Sequence, residues 1–416
     1  MPNSVLTPDI IAQEGLMLLE NELVIGGKVH TDHSKEFAMV GETISIDRPV
    51  QFYGQSDNLD VSSYNEDIIE GKETISMNKT ETVKFKITSK EKTLSLDKIS
   101  ERIIKPAIVV LKDRIESELA ALYPSLYHFT GTPGVVPSTF KSLGQGGSMM
   151  TDGAVPTDGR FALHGTDAAL ELADGLKSVF VQDKVKTALE RGTIGRYANF
   201  ENYEFVHAPT HTVGALGGTP LVNGGSQSVT YLASKDLKSS DLITDGWSNS
   251  VTGVLKKGDV ITIAGVFAVN PVSLQSTGRL QTFTVTADAD SNGSGAATIN
   301  VSPAIIPADA TIADGKAYAT VNTAPADNAA ITVKTGSAGA SYKQSLLLHP
   351  NAFALVTRAL DVESGAGVKS TTKSGNRVTI RCTEWVDGNT LDHNFRFDML
   401  FGVKCLDERL GARLTS

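Results

Sequence analysis

Between Glu204 and Glu363 the chain contains no glutamate, and between Met150 and Met399 no methionine. Glutamate favours helices, so its absence over about 160 residues argues against a helical middle and marks a β-rich module. Runs of β-formers recur at 227–232, 259–269, 280–286, 296–301, 317–321 and 330–334, separated by Asn, Asp, Gly and Ser. That spacing predicts a small barrel or sandwich inserted over about 222–336. The stretch KKGDVITIAGVFAVNP (256–271) reads as one of its central hairpins, between a Gly258-Asp259 turn and an Asn270-Pro271 turn.

The flanks are mixed. Residues 1–35 combine an amphipathic stretch (Ile10, Ile11, Leu16, Leu18, Leu19) with a Gly26-Gly27 break, as in a helix followed by an extended arm. From 43 to 92 the text is polar and strand-like. Ile75, Met77, Val83, Phe85 and Ile87 largely alternate, and Lys79, Lys84, Lys86 and Lys90 interleave with Glu73 and Glu81. A long two-stranded arm, wet on both faces and needing a neighbour, fits this pattern. Over 95–122, Ile99, Ile103, Ala107, Leu111, Ile115 and Leu119 recur every four residues, the clearest helix in the chain. Ser95 or Asp97 can cap it, Pro106 marks a kink or a start one turn in, and Tyr123-Pro124 stops it. Such a helix is roughly 40 Å long, suited to a spine.

Residues 130–159 form a Gly/Pro/Ser-rich passage. GRFALHGTDAALELADGL (159–176) then reads as strand, turn with Thr166 or Asp167 as N-cap, and helix, with a second helix at about 178–190. GTIGRYANFENYEFVHAP (192–209) is extended. SYKQSLLLHPNAFALVTRAL (341–360) reads as strand then helix. The last segment is a hairpin: Val378, Ile380 and Cys382 alternate on one arm, Phe395, Phe397, Met399, Phe401 and Val403 on the other, around Asp387-Gly388.

At 416 residues, two or three domains are expected. A net charge of −9 argues against phosphate neutralisation as the main role, leaving room for a local patch. Two cysteines exclude a disulfide scaffold and a four-thiolate zinc site; one bridge between Cys382 and Cys405 stays open. The first residues lack a basic region before an apolar run, and no stretch of about 18 apolar residues occurs, so the reading is a soluble protein made in the cytosol.

Candidate chemistry is thin. His30-Thr-Asp-His33 is half a metal site with no partner pair nearby in sequence, and solvated polar residues are the better reading. GQGGS (144–148) lacks the Lys-Ser/Thr of a phosphate loop and reads as flexible linker. No G-x-S-x-G occurs, and Cys382 sits on an apolar strand face. The expectation is no enzyme, no metal and no cofactor. Lys235-Asp-Leu-Lys-Ser-Ser-Asp241 is either an exposed loop or a contact across a two-fold axis, where opposite charges meet on a symmetry mate.

The order of parts resembles the HK97-like capsid fold of tailed double-stranded-DNA phages, an α+β architecture. The module narrows the resemblance. LKKGDVITIAGVFAVNP (255–271), TGRLQTFTVTADAD (277–290) and KAYATVNTAPADNAAITV (316–333) are similar to the insertion domain of the Salmonella short-tailed phage coat protein family, and RGTIGRYANFENYE (191–204) to the family's approach to it. The resemblance spans nearly the whole chain and is strongest over 190–335. Residues 130–155 depart from it, being more glycine-rich than the helix it implies there.

The resemblance implies an N-terminal arm (1–42), an extended loop (43–82) and a peripheral domain (83–154) with spine helix 95–123. It further implies an axial domain (155–221 and 337–375), an inserted Greek-key-like β-barrel (222–336) and a peripheral hairpin with the C-terminus (376–416). The implied function is that of a major capsid protein building an icosahedral procapsid that expands as DNA is packaged. Implied partners are further copies of the chain in hexamers and pentamers, a scaffolding protein, a portal protein, a decoration protein as an open option, and weakly, non-specifically held DNA. No membrane is involved, and the destination is the virion. Glu73, Lys79, Glu81, Lys84, Lys86, Lys235, Asp236, Lys238 and Asp241 are candidate inter-subunit contacts. The competing reading is a surface-binding protein whose β module recognises a ligand.

Overall fold

A computed structural model describes residues 7–32, 43–52, 70–88, 100–175, 195–229, 237–308, 317–362, 364–365, 367–390 and 392–416. The second helix expected at 178–190, the caps Ser95 and Asp97, His33, Lys90, Lys235 and Asp236 lie outside these residues. The chain forms two compact units: one of 1–45, 74–120 and 353–405, the other of 46–73, 121–352 and 406–416.

The first unit is a sheet with helices on one face. Strand His393–Cys405 is its axis. Lys79–Ile87 pairs along one edge of it, and Thr379–Val386 and Phe353–Arg358 follow each other along the opposite edge. Val368–Ser374 and Ser364–Gly365 extend the sheet outward. Alternation puts Phe395, Phe397, Met399 and Phe401 on one face, all buried, with Phe85 stacked on Phe395 at 5.5 Å between ring centres. Helices Pro8–Glu22 and Lys105–Ala120 serve that face. At Gly15 a Cβ would stand 3.1 Å from Ile108 and 3.4 Å from Ile380 and Phe397, so the absent side chain sets how closely the N-terminal helix lies.

One wide π turn, Ser100–Ile104, precedes the spine helix, which begins at Lys105 with Pro106 in its first turn, where a missing N–H costs nothing. Buried Glu116 accepts hydrogen bonds from the backbone N–H groups of Val24 (2.7 Å) and Ile25 (3.1 Å), fixing the chain as it leaves the N-terminal helix.

The arm is shorter than the alternation over 43–92 suggests. Thr43–Asp47 pairs with Lys72–Ser76, but Lys79–Ile87 belongs to the sheet, because its odd-numbered side chains find a core there. Phe353–Arg358 is a strand, not the helix read for that stretch. A short buried apolar run is ambiguous by period, and pairing with Leu400–Cys405 decides it. That pairing also takes 353–375 out of the expected axial part.

The second unit holds two sheets. The axial sheet runs His128–Thr130, Gly411–Thr415, Ser341–Leu348, Phe161–His164, Phe200–Glu204, Arg196–Tyr197, with Thr210–Thr212 added to the Ser341 end. Residues 411–415, expected in the peripheral part, thus lie inside this sheet. Helix Thr166–Gly175 starts at Thr166 itself, with Asp167 in its first turn, where a carboxylate suits the helix dipole.

GQGGS is not a linker. It lies in helix Phe140–Asp152, capped by the Thr139 side chain. A Cβ on Gly146 would fall 2.2 Å from Leu347 Cδ1, and one on Gly147 3.1 Å from Phe200. Glycine here permits close helix–sheet approach, at a cost in helix propensity. Buried Arg160 donates to Gly147 O (3.0 Å) and Val155 O (2.7 Å), satisfying carbonyls at the helix end. Gly146→Leu should therefore lower stability by about 1–3 kcal/mol by overpacking; unchanged thermal unfolding would refute the packing role.

The middle of the chain is a barrel. Its strands are ordered Ile331–Val333, Val260–Val269, Ser276–Val285, Ala297–Ser302, Ser240–Trp247, Gly218–Val222. A Leu221–Ala330 bridge closes it, with Val222 N–H on Ala329 O at 3.0 Å. Val222, Leu242, Trp247, Ile261, Ile263, Phe283, Val285, Ile299 and Val301 fill the interior. Gly246 has φ +73° at the register shift between Asp245 and Trp247, a bulge that lets the strand turn with the barrel. Four of the expected strands are present; 317–321 contributes bridges through Val321 rather than a strand, 227–229 is not strand, and 230–232 lies outside the described residues.

Candidate functional site

The turn before the long barrel strand carries a carboxylate bonded by four different residues. Asp259 has no exposed surface. Its Oδ1 lies 2.9 Å from His211 Nε2 and accepts from Thr335 Oγ1 at 2.8 Å, while Oδ2 accepts from Gly214 N (3.0 Å) and Lys256 N (2.8 Å). Burial acts to raise this carboxyl, but the donors, His211 first among them, outweigh it and hold it below the ordinary aspartate value. Behind His211, Nδ1 lies 3.1 Å from the Tyr123 hydroxyl.

Arg413, also fully buried, donates to Gly258 O (2.8 Å) and Thr284 Oγ1 (3.2 Å), with its guanidinium centre 5.8 Å from the Tyr123 ring centre and 5.7 Å from that of Phe129. Thr284 Oγ1 donates in turn to Pro124 O at 2.8 Å. A second anchor holds the tip of the same hairpin. Asn270 Nδ2 donates to Asp152 O (2.8 Å) and Arg279 Nη2 to Ser148 Oγ (2.8 Å), both on the glycine-rich helix.

Asp, His and Tyr in a row invite comparison with a proton relay, but His211 is 1% exposed and Asp259 0%, so no substrate reaches them. The arrangement fastens the barrel to the axial sheet. Sequence reading missed it because His211 and Asp259 stand 48 residues apart, with no motif spacing. The available signal was Asp259 itself, an acid at the mouth of an apolar strand.

The candidate contact residues divide by strand parity. Lys79 and Glu81 turn toward the spine helix: Lys79 pairs with Glu118, and Arg114 spans Glu81 (3.6 Å) and Glu118 (2.8 Å). Lys84 and Lys86 turn to the opposite face. Lys84 lies 4.9 Å from the Trp385 ring centre, and Lys86 pairs with Asp392 at 2.7 Å. In the second unit Lys238 pairs with Glu73 and reaches Leu406 O at 3.5 Å, and Asp241 accepts from Asn300 Nδ2 at 2.7 Å. These charges are all engaged within the chain.

Among the described residues no group of three His, Cys, Asp or Glu side chains gathers as a metal site; the backbone of His30 bridges Ala354. Cys382 and Cys405 are buried and not bonded to each other. Burial, then Glu384 and Asp398, push the Cys382 thiol up to about 12, which removes its nucleophilic form at neutral pH. No helix among the described residues is long and apolar enough to cross a membrane.

His128 is an acid-sensitive group, as are His164 and His349, whose imidazoles burial also lowers. Burial, then Arg409, lower the His128 imidazole to about 4, and its buried Nε2 has no hydrogen-bond partner. Because the unfolded chain protonates near 6.5 and the folded chain does not, stability should fall by about 2–3 kcal/mol between pH 6.5 and 4. His128→Gln should flatten that part of the pH profile; an unaltered slope would refute the assignment.

The family model described as P22 coat protein, gene protein 5, matches residues 7–415. The chain belongs to the P22 coat protein family. Over 383 residues it is 24% identical to a major capsid protein of Acyrthosiphon pisum secondary endosymbiont phage 1, covering 90% of this chain and 88% of that one. Among solved structures, the CUS-3 coat protein I-domain is 28% identical, covering 30% of this chain and 100% of that one, at a TM-score of 0.22. A Mycobacterium phage Che8 structure is 11% identical, covering 94% and 90%, at a TM-score of 0.45. In this coat protein family member the buried polar anchor is a structural device of the subunit.

Proposed function

We propose that the chain is the major capsid protein of a tailed double-stranded-DNA phage, assembling through copies of itself into an icosahedral procapsid that expands around the genome. The observation that carries this reading is the family match over 7–415, which includes the barrel and both sheets. The subunit is suited to building a shell. The barrel interior is packed with the side chains of its own strands.

Scaffolding and portal proteins as assembly partners, a decoration protein as an option, and synthesis in the host cytoplasm rest on the family resemblance alone. So does a contact between capsomers through loop 235–241, whose Lys235 and Asp236 lie outside the described residues. Co-expression with the phage's scaffolding protein, read by sedimentation and electron microscopy, tests the proposal. Closed shells are expected, and a persistent monomer overturns it. The same assay on a Lys235→Ala, Asp236→Ala chain should give a folded subunit and fewer shells if the loop bridges capsomers; normal yields would discard that contact.

A further inference from the structure

The root of the two-stranded arm is held from the barrel side. Residues 46–52 and 70–73 belong to the second unit. There the Arg48 N–H donates to Gly71 O at 2.8 Å, a backbone bond between the two sides of the arm. Two side chains of the barrel module reach this root. The Gln51 N–H donates to the Tyr318 hydroxyl at 3.2 Å, and Lys238 pairs with Glu73, their side chains 23% and 10% exposed. Both barrel groups are themselves fixed. Tyr318 and Leu237 pack against Ala304 and Ile306, so the residue before Lys238 is seated in a small apolar cluster. Two residues after Lys238, Ser240 Oγ accepts from the Ile305 N–H at 3.1 Å. Asp407 and Glu408 also lie in the field of the Lys238 ammonium. Asp407, however, is bound by Arg409 at 2.8 Å, and Glu408 accepts from Ser302. Burial holds the Glu408 carboxyl above the ordinary glutamate range, which makes it a weak competitor. Glu73 is the carboxylate that pairs with Lys238.

We propose that the barrel clasps the root of the arm, with Lys238 and Tyr318 as the positioning residues that fix how the arm leaves the subunit. A two-stranded ribbon is marginal in water by itself and needs a partner to hold one conformation. The clasp supplies one at the root. Because both side chains of the ion pair are largely withdrawn from water, removing one strands the charge of the other. The pairing also changes the reading of the loop at 235–241. Its described residues turn inward: Leu237 to the apolar cluster, Lys238 to Glu73, Ser240 to Ile305 and Asp241 to Asn300. Lys238 is thus an internal strut and not a group offered to a symmetry mate. Holding the arm in one direction before it meets another molecule removes part of the ordering cost of that meeting. What the arm meets rests on the capsid reading, whereas the clasp is a property of the single subunit and stands apart from it.

The test is hydrogen–deuterium exchange of the full-length subunit, kept monomeric and read by mass spectrometry over residues 46–52 and 70–73, where exchange reports local opening. Lys238→Met keeps the apolar stem and removes the ammonium. It should speed exchange at the root about tenfold, between the losses expected for an exposed and a buried ion pair. Ser240–Trp247 and Val260–Val269 should keep the parent's rates. Lys238→Arg should leave the root as protected as in the parent. The Lys238→Met, Glu73→Gln chain should exchange no faster than Lys238→Met alone, because the two groups act as one pair. Tyr318→Phe leaves the ring in its apolar cluster and should speed exchange over 46–52; it serves if Lys238→Met unfolds. Unchanged exchange at the root overturns the proposal. Equal acceleration throughout the barrel also overturns it, since Lys238 would then merely stabilise the barrel. So does a loss of shells with the root's exchange unaltered, because Lys238 would then act between subunits. If the parent chain forms no shells, the capsid reading fails instead, and the exchange result is separate from that failure.

Discussion

Asp259→Ala is expected to destabilise the second unit by about 3–5 kcal/mol, because it removes one partner of a buried charged network and leaves the others unpaired. His211, Thr335 and the N–H groups of Gly214 and Lys256 all lose their acceptor in a site with no room for bulk water. The chain has two tryptophans, Trp247 in the barrel core and Trp385 in the other unit, so a Trp385→Phe background reports on the barrel alone. Denaturant unfolding followed by Trp247 fluorescence gives the number, and a loss under about 1 kcal/mol would mean that the network is dispensable. The pH dependence has a definite sign. The folded carboxyl is held below its ordinary value, so its contribution is present above about pH 4 and is lost as pH falls through the folded value. Parent and variant should therefore converge only in strong acid.

Phe283→Ala should cost a similar amount, about 3–5 kcal/mol, by a different route. Phe283 is fully buried opposite Ile261 at the centre of the barrel. Closure of the six strands leaves the walls little freedom to collapse into the space. Here the pH profile should stay parallel to that of the parent, which separates a packing defect from an electrostatic one. If Trp247 fluorescence shows the barrel unfolding at the parent's denaturant midpoint, the barrel core is not where the subunit's cooperativity resides.

Much of this architecture could be read from residue order. Val260–Val269 and Ser276–Val285 are dense in β-branched and aromatic residues between turn formers, and the C-terminal hairpin shows a clean period of two. Ser240–Trp247 escaped notice because Asp241 and Asp245 alternate with its inward Leu242 and Thr244, so half of the strand looks like loop. Phe353–Arg358 could not be told from a helix until its partner strand was known. The glycines of 144–147 look like a linker by composition, and only Leu347 and Phe200, about 200 and 50 residues away in sequence, explain them. The anchor at Asp259 and the charged face at Lys84 were invisible for the same reason: both are made by register and by contacts distant along the chain. Lys84 and Lys86 stood out as charges, but parity within a pairing strand was needed to separate them from Lys79 and Glu81.

The position of Gly411–Thr415 sets a timetable for synthesis. This strand lies between His128–Thr130, which it joins in parallel, and Ser341–Leu348. The axial sheet therefore cannot close when its first strand leaves the ribosome; it waits for nearly three hundred more residues. The barrel, contiguous from Gly218 to Val333, is complete in the nascent chain long before then. Arg413, which locks Gly258 and Thr284 in place, arrives with the late strand. A ribosome-bound chain thus carries a complete set of barrel strands beside a sheet that still lacks its central strand until Thr415 has been added.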